Sequence, residues 1–455
     1  MKRRVLLWIM ALTFALIGCQ GESQNAEKQA LVAEDQPKTE LAQGVTSSEE
    51  TEPVPVTEAV TEPEDQIRDL ILWHAYTEPL EAELERLVDA FNKMEKGVRV
   101  KVVRKEPAEL TLVTEGMLQA EDAPDILLDF PMEAVRLQKA GLLVDMRVMV
   151  EDPENGIPGF QESMYAPYYQ EAIQWDGGLY MIPLVKSGEV LYYNKTLYDA
   201  YGLTAPTTWA EMEENSRVLY YEHGVAGFGV ESPIELVEML IEQSGTTYVD
   251  PVNGQVAFNQ PVLVEELRHF TDLIAEGLYV TPSIHGTLVS AFENGEVGSV
   301  MASTFYEDYF LGGELEFEMG VTTLPQGGVV NYSPTVGASA YLFRSDPEQE
   351  AAAFSFLKYF VSPQPNTDWV IAYGGVSPYS APYQMEAYTN YLNANPARAV
   401  LYGAGPIVGY IPSVQGLIQA RVILYPLLDQ VATGVQTADS AVQSAQDAMN
   451  ELIPK

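Results

Sequence analysis

The sequence predicts an α/β fold in which strands alternate with helices in two successive sets. Apolar runs such as residues 70–73 and 125–130 read as strands, and the segments between them have helical periodicity. The chain has 455 residues and 47% hydrophobic residues, enough for two or three domains with sizeable cores. Strands alternating with helices favour mainly parallel sheets with right-handed crossovers.

The first set of elements begins near residue 69. Strand 70–73 precedes a helix whose apolar residues share one face and which Gly97 ends. A period-two strand, 98–102, follows. We then expect a helix at 108–119, a strand at 125–130 and a helix at 133–139. The apolar face is formed by Leu80, Leu84, Leu87, Val88, Phe91 and Met94.

The ends of these strands supply the first candidate site residues. In parallel sheets, ligands bind beyond the carboxyl ends of the strands. Tyr76 follows the first strand, and Phe130 and Glu133 follow the third. We therefore expect these three residues near a binding cleft.

The second set of elements repeats the pattern later in the chain. It begins with strand 189–193, a helix that Thr208 caps, and strand 227–230. Helices are predicted at 234–243 and 262–276, and a helix followed by a strand at 288–301. Thr437 caps the last predicted helix.

The N-terminus carries a targeting signal. Lys2, Arg3 and Arg4 precede an apolar run, 5–17, which is too short to span about 30 Å of hydrocarbon. Cys19 follows directly, so residues 1–18 resemble a bacterial lipoprotein signal peptide. That resemblance implies a lipid anchor (a palmitate-type acyl group) on Cys19, although a chance free cysteine remains the alternative.

Residues 19–68 differ in composition from the rest of the chain. They are rich in Thr, Glu, Pro and Gln, and their aromatic-free stretch cannot bury enough apolar surface to offset the entropy of ordering. We expect a flexible acidic tether between the lipid and the folded body.

Charge and composition exclude several classes of function. The formal charge of −40 argues against nucleic acid and anionic lipid surfaces, which need basic patches. It is compatible with a cationic ligand. The single cysteine permits no internal disulfide, and the four histidines form no pattern with metal-ligand spacing. We therefore predict no metal and no cofactor.

Several segments together carry a family resemblance. The chain resembles the carbohydrate- and polyol-type (maltose-binding-like) solute-binding proteins of ABC importers. This resemblance implies a two-lobed periplasmic-binding-protein (Venus-flytrap) fold, each lobe a mainly parallel sheet flanked by helices. The segments are 91–92, 123–126, 140–143, 179–184, 189–195, 201–203, 206–212, 333–343 and 351–360.

The resemblance also implies a function and lobe boundaries. A monomer would bind a sugar or polyol between its lobes outside the cytoplasm and deliver it to the membrane permease, without catalysis. Lobe 1 would comprise 69–186 and 334–362, and lobe 2 would comprise 187–333 and 363–455. Small residues in 186–188 and 337–339, which include Gly337 and Ser339, would form the hinge strands.

Further ligand contacts are implied by the same resemblance. Glu231 matches a sugar-contacting acid of maltose-binding-like proteins, with a helix N-terminal acid as the alternative. Glu189, beside the hinge, either meets ligand hydroxyls or is merely solvated. Phe305 and Tyr306 correspond to an aromatic platform, and Tyr410 to a late aromatic contact.

Arg421 is similar to the phosphate-holding arginine of glycerol-3-phosphate and glycerophosphodiester binders, and Gly337 matches a backbone contact there. Other positions of that subfamily's pocket differ here, so Arg421 could instead bridge helices or bind a sugar hydroxyl. Pro426 is expected to bend the helix that carries Arg421, unlike in that subfamily. The departures are Val376, Pro131, Val103 and Pro107.

Three rival functions stay open at the level of sequence. One is an extracellular glycoside hydrolase that uses paired carboxylates. Another is a receptor subunit that passes the closed state to a signalling protein. The third keeps the transport role with a cationic solute such as a polyamine.

Overall fold

The computed structural model describes residues 67–94, 97–111, 123–282, 284, 286–313, 315–405 and 407–454. The predicted signal peptide, Cys19 and the tether up to residue 66 lie outside the described residues. Within these ranges, no helix is long and apolar enough to cross a bilayer.

The described strands and helices alternate, as the sequence predicts. The strands are β1 (Arg68–His74), β2 (Val98–Arg104), β3 (Ile126–Asp129), β4 (Ile182–Pro183), β5 (Ser187–Asn194), β6 (Phe228–Val230), β7 (Tyr279–Val280), β8 (Ser299–Ser303), β9 (Met319–Thr322), β10 (Ser333–Val336), β11 (Ser339–Leu342) and β12 (Val408–Tyr410). The α-helices are Leu80–Met94, Pro107–Thr111, Pro131–Lys139, Arg147–Val150, Ala166–Ala172, Lys195–Ala200, Trp209–Val218, Pro233–Gln243, Pro261–Ala275, Thr287–Glu293, Glu307–Leu311, Pro347–Phe360, Pro363–Tyr373, Glu386–Ala394, Pro396–Gly403, Leu417–Arg421, Leu427–Ala432 and Ala438–Leu452.

The first lobe is built on a sheet with strand order β2-β1-β3-β11-β4. Strand β1 is parallel to both β2 and β3, and β11 runs antiparallel between β3 and β4. Helices Leu80–Met94 and Pro347–Phe360 bury their apolar faces in this lobe's core. The carboxyl ends of β1 and β3 therefore lie at the same edge of the sheet.

The second lobe is built on a sheet with order β12-β10-β5-β8-β6-β7, with β9 also paired to β5. Strands β6, β7 and β8 are parallel, whereas β5 is antiparallel to β8, β9 and β10. Helices Pro233–Gln243, Pro261–Ala275 and Ala438–Leu452 pack in its main core. The sequence predicted mainly parallel sheets. The observed sheets are mixed, because each crossing strand enters its new lobe antiparallel to a neighbour.

Two chain crossings join the lobes. The chain leaves the first sheet after β4 and enters the second at β5, and it returns between β10 and β11. At Gly337 an added Cβ would collide with the carbonyl oxygen of Val185, so the two crossings pass too closely for any side chain. A third segment bridges Val376 to Lys186.

The third crossing lies later than the sequence boundary at residue 363 indicated. Helix Pro363–Tyr373 buries Trp369 and Val370 in the first-lobe core, and Tyr388 belongs to the same cluster. Helix Pro396–Gly403 instead buries Ala397 and Leu401 in the second lobe. The assignment of residues 363–394 to lobe 2 is therefore corrected, because their apolar side chains pack on the first sheet.

Local helix signals behave as predicted where the structure describes them. Thr208 forms a capping box with Glu211, and the Thr437 hydroxyl accepts a hydrogen bond from the Ser440 N–H. Of the helix predicted at 108–119, the described part is Pro107–Thr111. Pro426 separates Leu417–Arg421 and its 3-10 extension from Leu427–Ala432, as expected for proline.

Candidate functional site

The first-lobe half of the candidate site lies at the ends of β1 and β3. The Tyr76 ring packs against Trp369 and Tyr373, with ring centroids 5.1 and 6.2 Å apart, and its N–H donates to His74 Nδ1 at 3.1 Å. The Tyr76 hydroxyl is buried without a hydrogen-bond partner among the described residues. Burial raises the pKa of Tyr76 well above its ordinary value. A buried hydroxyl that is free to pair is suited to a ligand hydroxyl.

Asp129 is the acid that the sequence interpretation missed. It closes β3, and its Oδ1 accepts a hydrogen bond of 2.8 Å from the Phe130 N–H. Burial raises the pKa of Asp129 to about 7, with the Phe130 N–H opposing the rise and Glu133 adding to it. The one signal in the sequence was a charged residue at the end of the otherwise apolar run 126–130.

Phe130 and Glu133, two predicted site residues, follow Asp129 at the end of β3. Phe130 occupies the N-cap position of helix Pro131–Lys139 through its extended backbone, and Glu133 is in the first turn. Burial raises the pKa of Glu133, and nearby Arg136 lowers it. Two carboxyl groups and two aromatic rings thus share this edge of the first sheet.

Ser339 brings the second crossing strand to the same place. It is fully buried, and it lies opposite Asp129 in the pairing of β11 with β3 and opposite Pro183 in the pairing with β4. Gly337 precedes it at the close approach of the crossings. Ser339 is therefore near Asp129, whereas Gly337 has a steric role that does not need a ligand.

The second-lobe half follows β5 and β8. Glu189, buried on β5, accepts a hydrogen bond of 3.2 Å from the Ser232 hydroxyl. Burial raises the pKa of Glu189 well above its ordinary value, and Glu235 adds to the rise. Phe305 and Tyr306 follow β8 in a short 3-10 turn.

Phe305 connects the two halves of the site. Its ring lies 5.5 Å from that of Tyr373 in the first lobe, and Tyr373 in turn contacts Tyr76. Burial raises the pKa of Tyr306, and the acids Glu231 and Glu189 contribute. Two predicted aromatic contacts, Tyr76 and Phe305, are thus linked through one tyrosine across the lobes.

Glu231 has a structural use in this conformation. One carboxylate oxygen accepts from the Gly286 N–H and the other accepts from the Leu288 N–H at 2.9 Å. These groups lie at the start of helix Thr287–Glu293, where backbone donors lack partners within the helix. Glu231 therefore caps helix Thr287–Glu293 through both of its carboxylate oxygens.

Arg421 is held by two acids. Its Nε and Nη2 donate to the two oxygens of Glu238 at 2.9 and 2.6 Å, and Nη2 also donates to Glu235 at 3.0 Å. Burial lowers the pKa of Arg421, but these carboxylates more than compensate. The guanidinium bridges helices Leu417–Arg421 and Pro233–Gln243, as one sequence alternative proposed.

A small cavity of about 50 Å³ lies beside Glu189 and Arg421. Strands β5 and β10 of the two crossings contribute to its wall, so it lies on the second-lobe side of the junction. Its other lining residues are Ser187, Gly188, Glu235, Ser303, Pro334, Thr335, Val336 and Ile411. Tyr410 precedes Ile411, and its carbonyl accepts a hydrogen bond of 3.0 Å from the Tyr332 hydroxyl.

A wider cavity of about 340 Å³ is formed elsewhere, between the loop 147–162 and Tyr169 of the first lobe. None of the predicted site residues lines it. The smaller cavity is the better candidate, because two predicted site residues, Glu189 and Arg421, line it at the second-lobe ends of both crossings.

The hinge contains a buried ion pair that sequence reasoning missed. Lys186 Nζ contacts the Glu171 carboxylate, and neither side chain is more than 3% exposed. Lys186 also exchanges two backbone hydrogen bonds with Val376, of 2.8 and 2.7 Å. The pair therefore lies where the first and third crossings meet.

Two further hydrogen bonds join the lobes. The Trp175 indole N–H donates to the Ser413 carbonyl at 2.9 Å, and the Ser413 N–H donates to Gln174 Oε1 at 2.7 Å. Trp175 packs in the first-lobe core and stacks on Tyr341, with ring centroids 6.3 Å apart. These bonds connect the first-lobe core to the segment that follows β12 in the second lobe.

Two mixed α/β lobes, joined by crossing strands with buried polar groups at their junction, are the architecture of proteins that close on a ligand by hinge motion. The comparisons agree. Residues 86–397 match the bacterial extracellular solute-binding protein family, and the chain belongs to it. It is therefore a solute-binding protein.

The relatives include UgpB proteins and maltose-type binding proteins. The chain is 23% identical to the sn-glycerol-3-phosphate-binding periplasmic protein UgpB of Salmonella typhimurium, over 84% of this chain and 91% of that protein. The cyclic alpha-maltosyl-1,6-maltose binding protein of Arthrobacter globiformis has a TM-score of 0.73, 19% identity, and coverage of 85% and 99%. UgpB of Mycobacterium tuberculosis, solved with glycerophosphocholine, has a TM-score of 0.65, 18% identity, and coverage of 85% and 98%. These relatives are binding proteins rather than enzymes.

Proposed function

We propose that this protein binds a sugar or related polyol between its lobes and delivers it to the transmembrane subunits of an ABC permease. The observation that carries the proposal is the set of buried polar groups at the junction, contributed by both lobes. The first lobe supplies Tyr76 and Asp129, and the second supplies Glu189 and Ser303. Ligand hydroxyls would pair with these groups, and Phe305 would offer an apolar face to a sugar ring.

Closure follows from the same arrangement. A ligand that contacts both lobes stabilises the closed state only by binding it better than the open state. The aromatic link from Tyr76 through Tyr373 to Phe305 exists only when the lobes meet. The closed pair of lobes would then be the form that the permease recognises.

The direct test is a thermal-shift and calorimetric screen of the purified protein against maltooligosaccharides, cyclic oligosaccharides, polyols and glycerol phosphates. Ligand at a hundred times its Kd should stabilise the protein by about 2.7 kcal/mol. Small-angle scattering should show compaction with the same ligand. Stabilisation by no ligand, or release of shortened sugars during incubation, would overturn the proposal in favour of another class, including a glycoside-active enzyme.

A phosphate-bearing ligand is the second candidate, because of the similarity to UgpB. It would place the phosphate on Arg421. Stabilisation by glycerol 3-phosphate, absent in Arg421→Ala, would favour it over a sugar.

We also propose that Cys19 is acylated and that residues 19–68 act as a tether to the outer surface of the cell membrane. Labelling cells with a radioactive or clickable palmitate should mark the protein, and Cys19→Ser should release it from the membrane fraction. Membrane retention of that variant without label would refute the anchor.

A further inference from the structure

Arg421 forms ion pairs with two carboxylates of the same lobe. Glu235 and Glu238 lie on successive positions of one face of helix Pro233–Gln243, three residues apart. Glu238 holds the guanidinium through both of its oxygens, and Glu235 through one. The Glu238 side chain is only 2% exposed, so this pair is shielded from bulk solvent.

The cavity beside Arg421 therefore has an excess of acid. Glu189 and Glu235 line it together with Arg421, and Glu238 lies directly behind the guanidinium. Three carboxyl groups thus surround one cation. Burial and the neighbouring Glu235 hold the pKa of Glu189 well above its ordinary value, although Arg421 opposes the rise. A second cation placed beside Glu189 would lower that pKa again and favour the charged carboxylate.

An anion and a cation would meet this cavity differently. A phosphate needs the forked guanidinium donors, but here they point to carboxylates, and the phosphate would face the same acids. A protonated amine needs acceptors. Within the described part of the chain, Glu189 accepts one side-chain hydrogen bond, from Ser232, and Glu235 contributes one oxygen to Arg421. Both carboxyl groups therefore retain acceptor capacity for an ammonium group.

We propose that Arg421 serves as an internal counter-ion, and that the cavity beside Glu189 and Glu235 binds the protonated amine of a polyhydroxylated ligand, such as an amino sugar, and rejects phosphate. This inference rests on the proposed function, in which the ligand lies between the lobes. It narrows the ligand to a class that carries hydroxyl groups and a positive charge.

The test compares ligands of matched size at about pH 6, where the amine carries its proton. The probes are glucosamine oligosaccharides, the corresponding neutral glucose oligosaccharides, and glycerol 3-phosphate. By calorimetry, we expect the amine ligand to bind at least tenfold more tightly than its neutral partner. We expect glycerol 3-phosphate to give no heat.

Isosteric variants then assign the effect to residues. Glu189→Gln should reduce the preference for the amine over the neutral sugar to less than threefold. The double change Glu235→Gln with Glu238→Gln should weaken amine binding at least tenfold and allow glycerol 3-phosphate to bind, because Arg421 is released. Glu214→Gln removes the same charge from an exposed position outside the cavity and should leave the preference unchanged.

The outcomes distinguish failure of the amine-binding inference from failure of ligand binding between the lobes. Equal affinity of the wild-type protein for amine and neutral sugars, or binding of glycerol 3-phosphate that Arg421→Ala abolishes, overturns this inference while leaving capture between lobes intact. Failure of every sugar, charged or neutral, overturns the proposed function itself. Glu189→Gln keeps the side-chain shape and an acceptor for Ser232, so it tests the inference even if the double variant folds poorly.

Discussion

Replacing Asp129 with asparagine should stabilise the protein relative to wild type, and this gain should be larger at neutral pH than at acidic pH. Burial raises the pKa of Asp129 to about 7 from an ordinary value of 3.8. The folded state therefore keeps a proton over an interval in which the unfolded chain has lost it. By linkage, the contribution of this carboxyl to stability falls as pH rises from about 4 to about 7, and it stays low above that. An asparagine at this position has no such cost, and its amide oxygen can still accept from the Phe130 N–H.

The size of the effect follows from the shift. About three pKa units at 1.36 kcal/mol each give an upper value of about 4 kcal/mol. Asp129 retains partial solvent exposure, so we expect Asp129→Asn to gain about 2 to 4 kcal/mol at pH 8 and little near pH 4. Urea unfolding followed by circular dichroism at each pH unit measures this difference.

Asp145 provides a control of opposite sign. Burial by itself would raise the pKa of Asp145, but hydrogen bonds from Arg147 and the Leu179 N–H lower it. Asp145→Asn should therefore lose stability at neutral pH, and the loss should shrink as pH falls below the ordinary value of an aspartate. A stability difference for Asp129→Asn that does not vary with pH, or that favours wild type at pH 8, would refute the reasoning.

Three other changes test separate parts of the structure. Lys186→Met leaves Glu171 buried without its ion-pair partner, so urea unfolding should show a free energy of unfolding lower by about 3–5 kcal/mol. Adding Glu171→Gln should recover part of this loss, and an equal loss in the double variant would argue against the ion pair. Tyr76→Phe removes a hydroxyl that has no hydrogen-bond partner among the described residues, so the free energy of unfolding should change by less than about 0.5 kcal/mol. Calorimetry should show a sugar affinity about fivefold lower, and unchanged affinity would remove Tyr76 from the site. Glu231→Ala removes the cap of helix Thr287–Glu293 and should lower the free energy of unfolding by about 1–2 kcal/mol. Amide hydrogen exchange at Leu288 should become faster, and unchanged protection at that amide would contradict the cap.

Much of the fold could be predicted because its signals are local. The Thr208 and Thr437 caps depend on residues three positions away, and alternating apolar runs identify strands such as β1 and β5. The lobe membership of residues 363–394 could not be predicted in this way. Trp369 and Tyr388 would be apolar in either lobe, and only tertiary packing decides which core receives them.

The candidate site could likewise be predicted from the sequence only in part. The positions of Tyr76 and Glu189 follow from the ends and edges of strands, which the sequence indicates. The partners of Arg421 are more than 180 residues away along the chain, and the sequence cannot show that they reach it. Asp129 was missed because nothing local distinguishes a strand-ending acid that loses solvent from one that keeps it.

The hydrogen bond from Trp175 to Ser413 gives the protein an intrinsic optical reporter. Separation of the lobes would break this bond and bring water to an indole that is now 4% exposed, shifting its emission to longer wavelength. Trp73 and Trp369, in the first-lobe core, should change far less. Ordinary tryptophan fluorescence can therefore follow opening and closing in real time without an attached dye, with Trp175→Phe as the silent background.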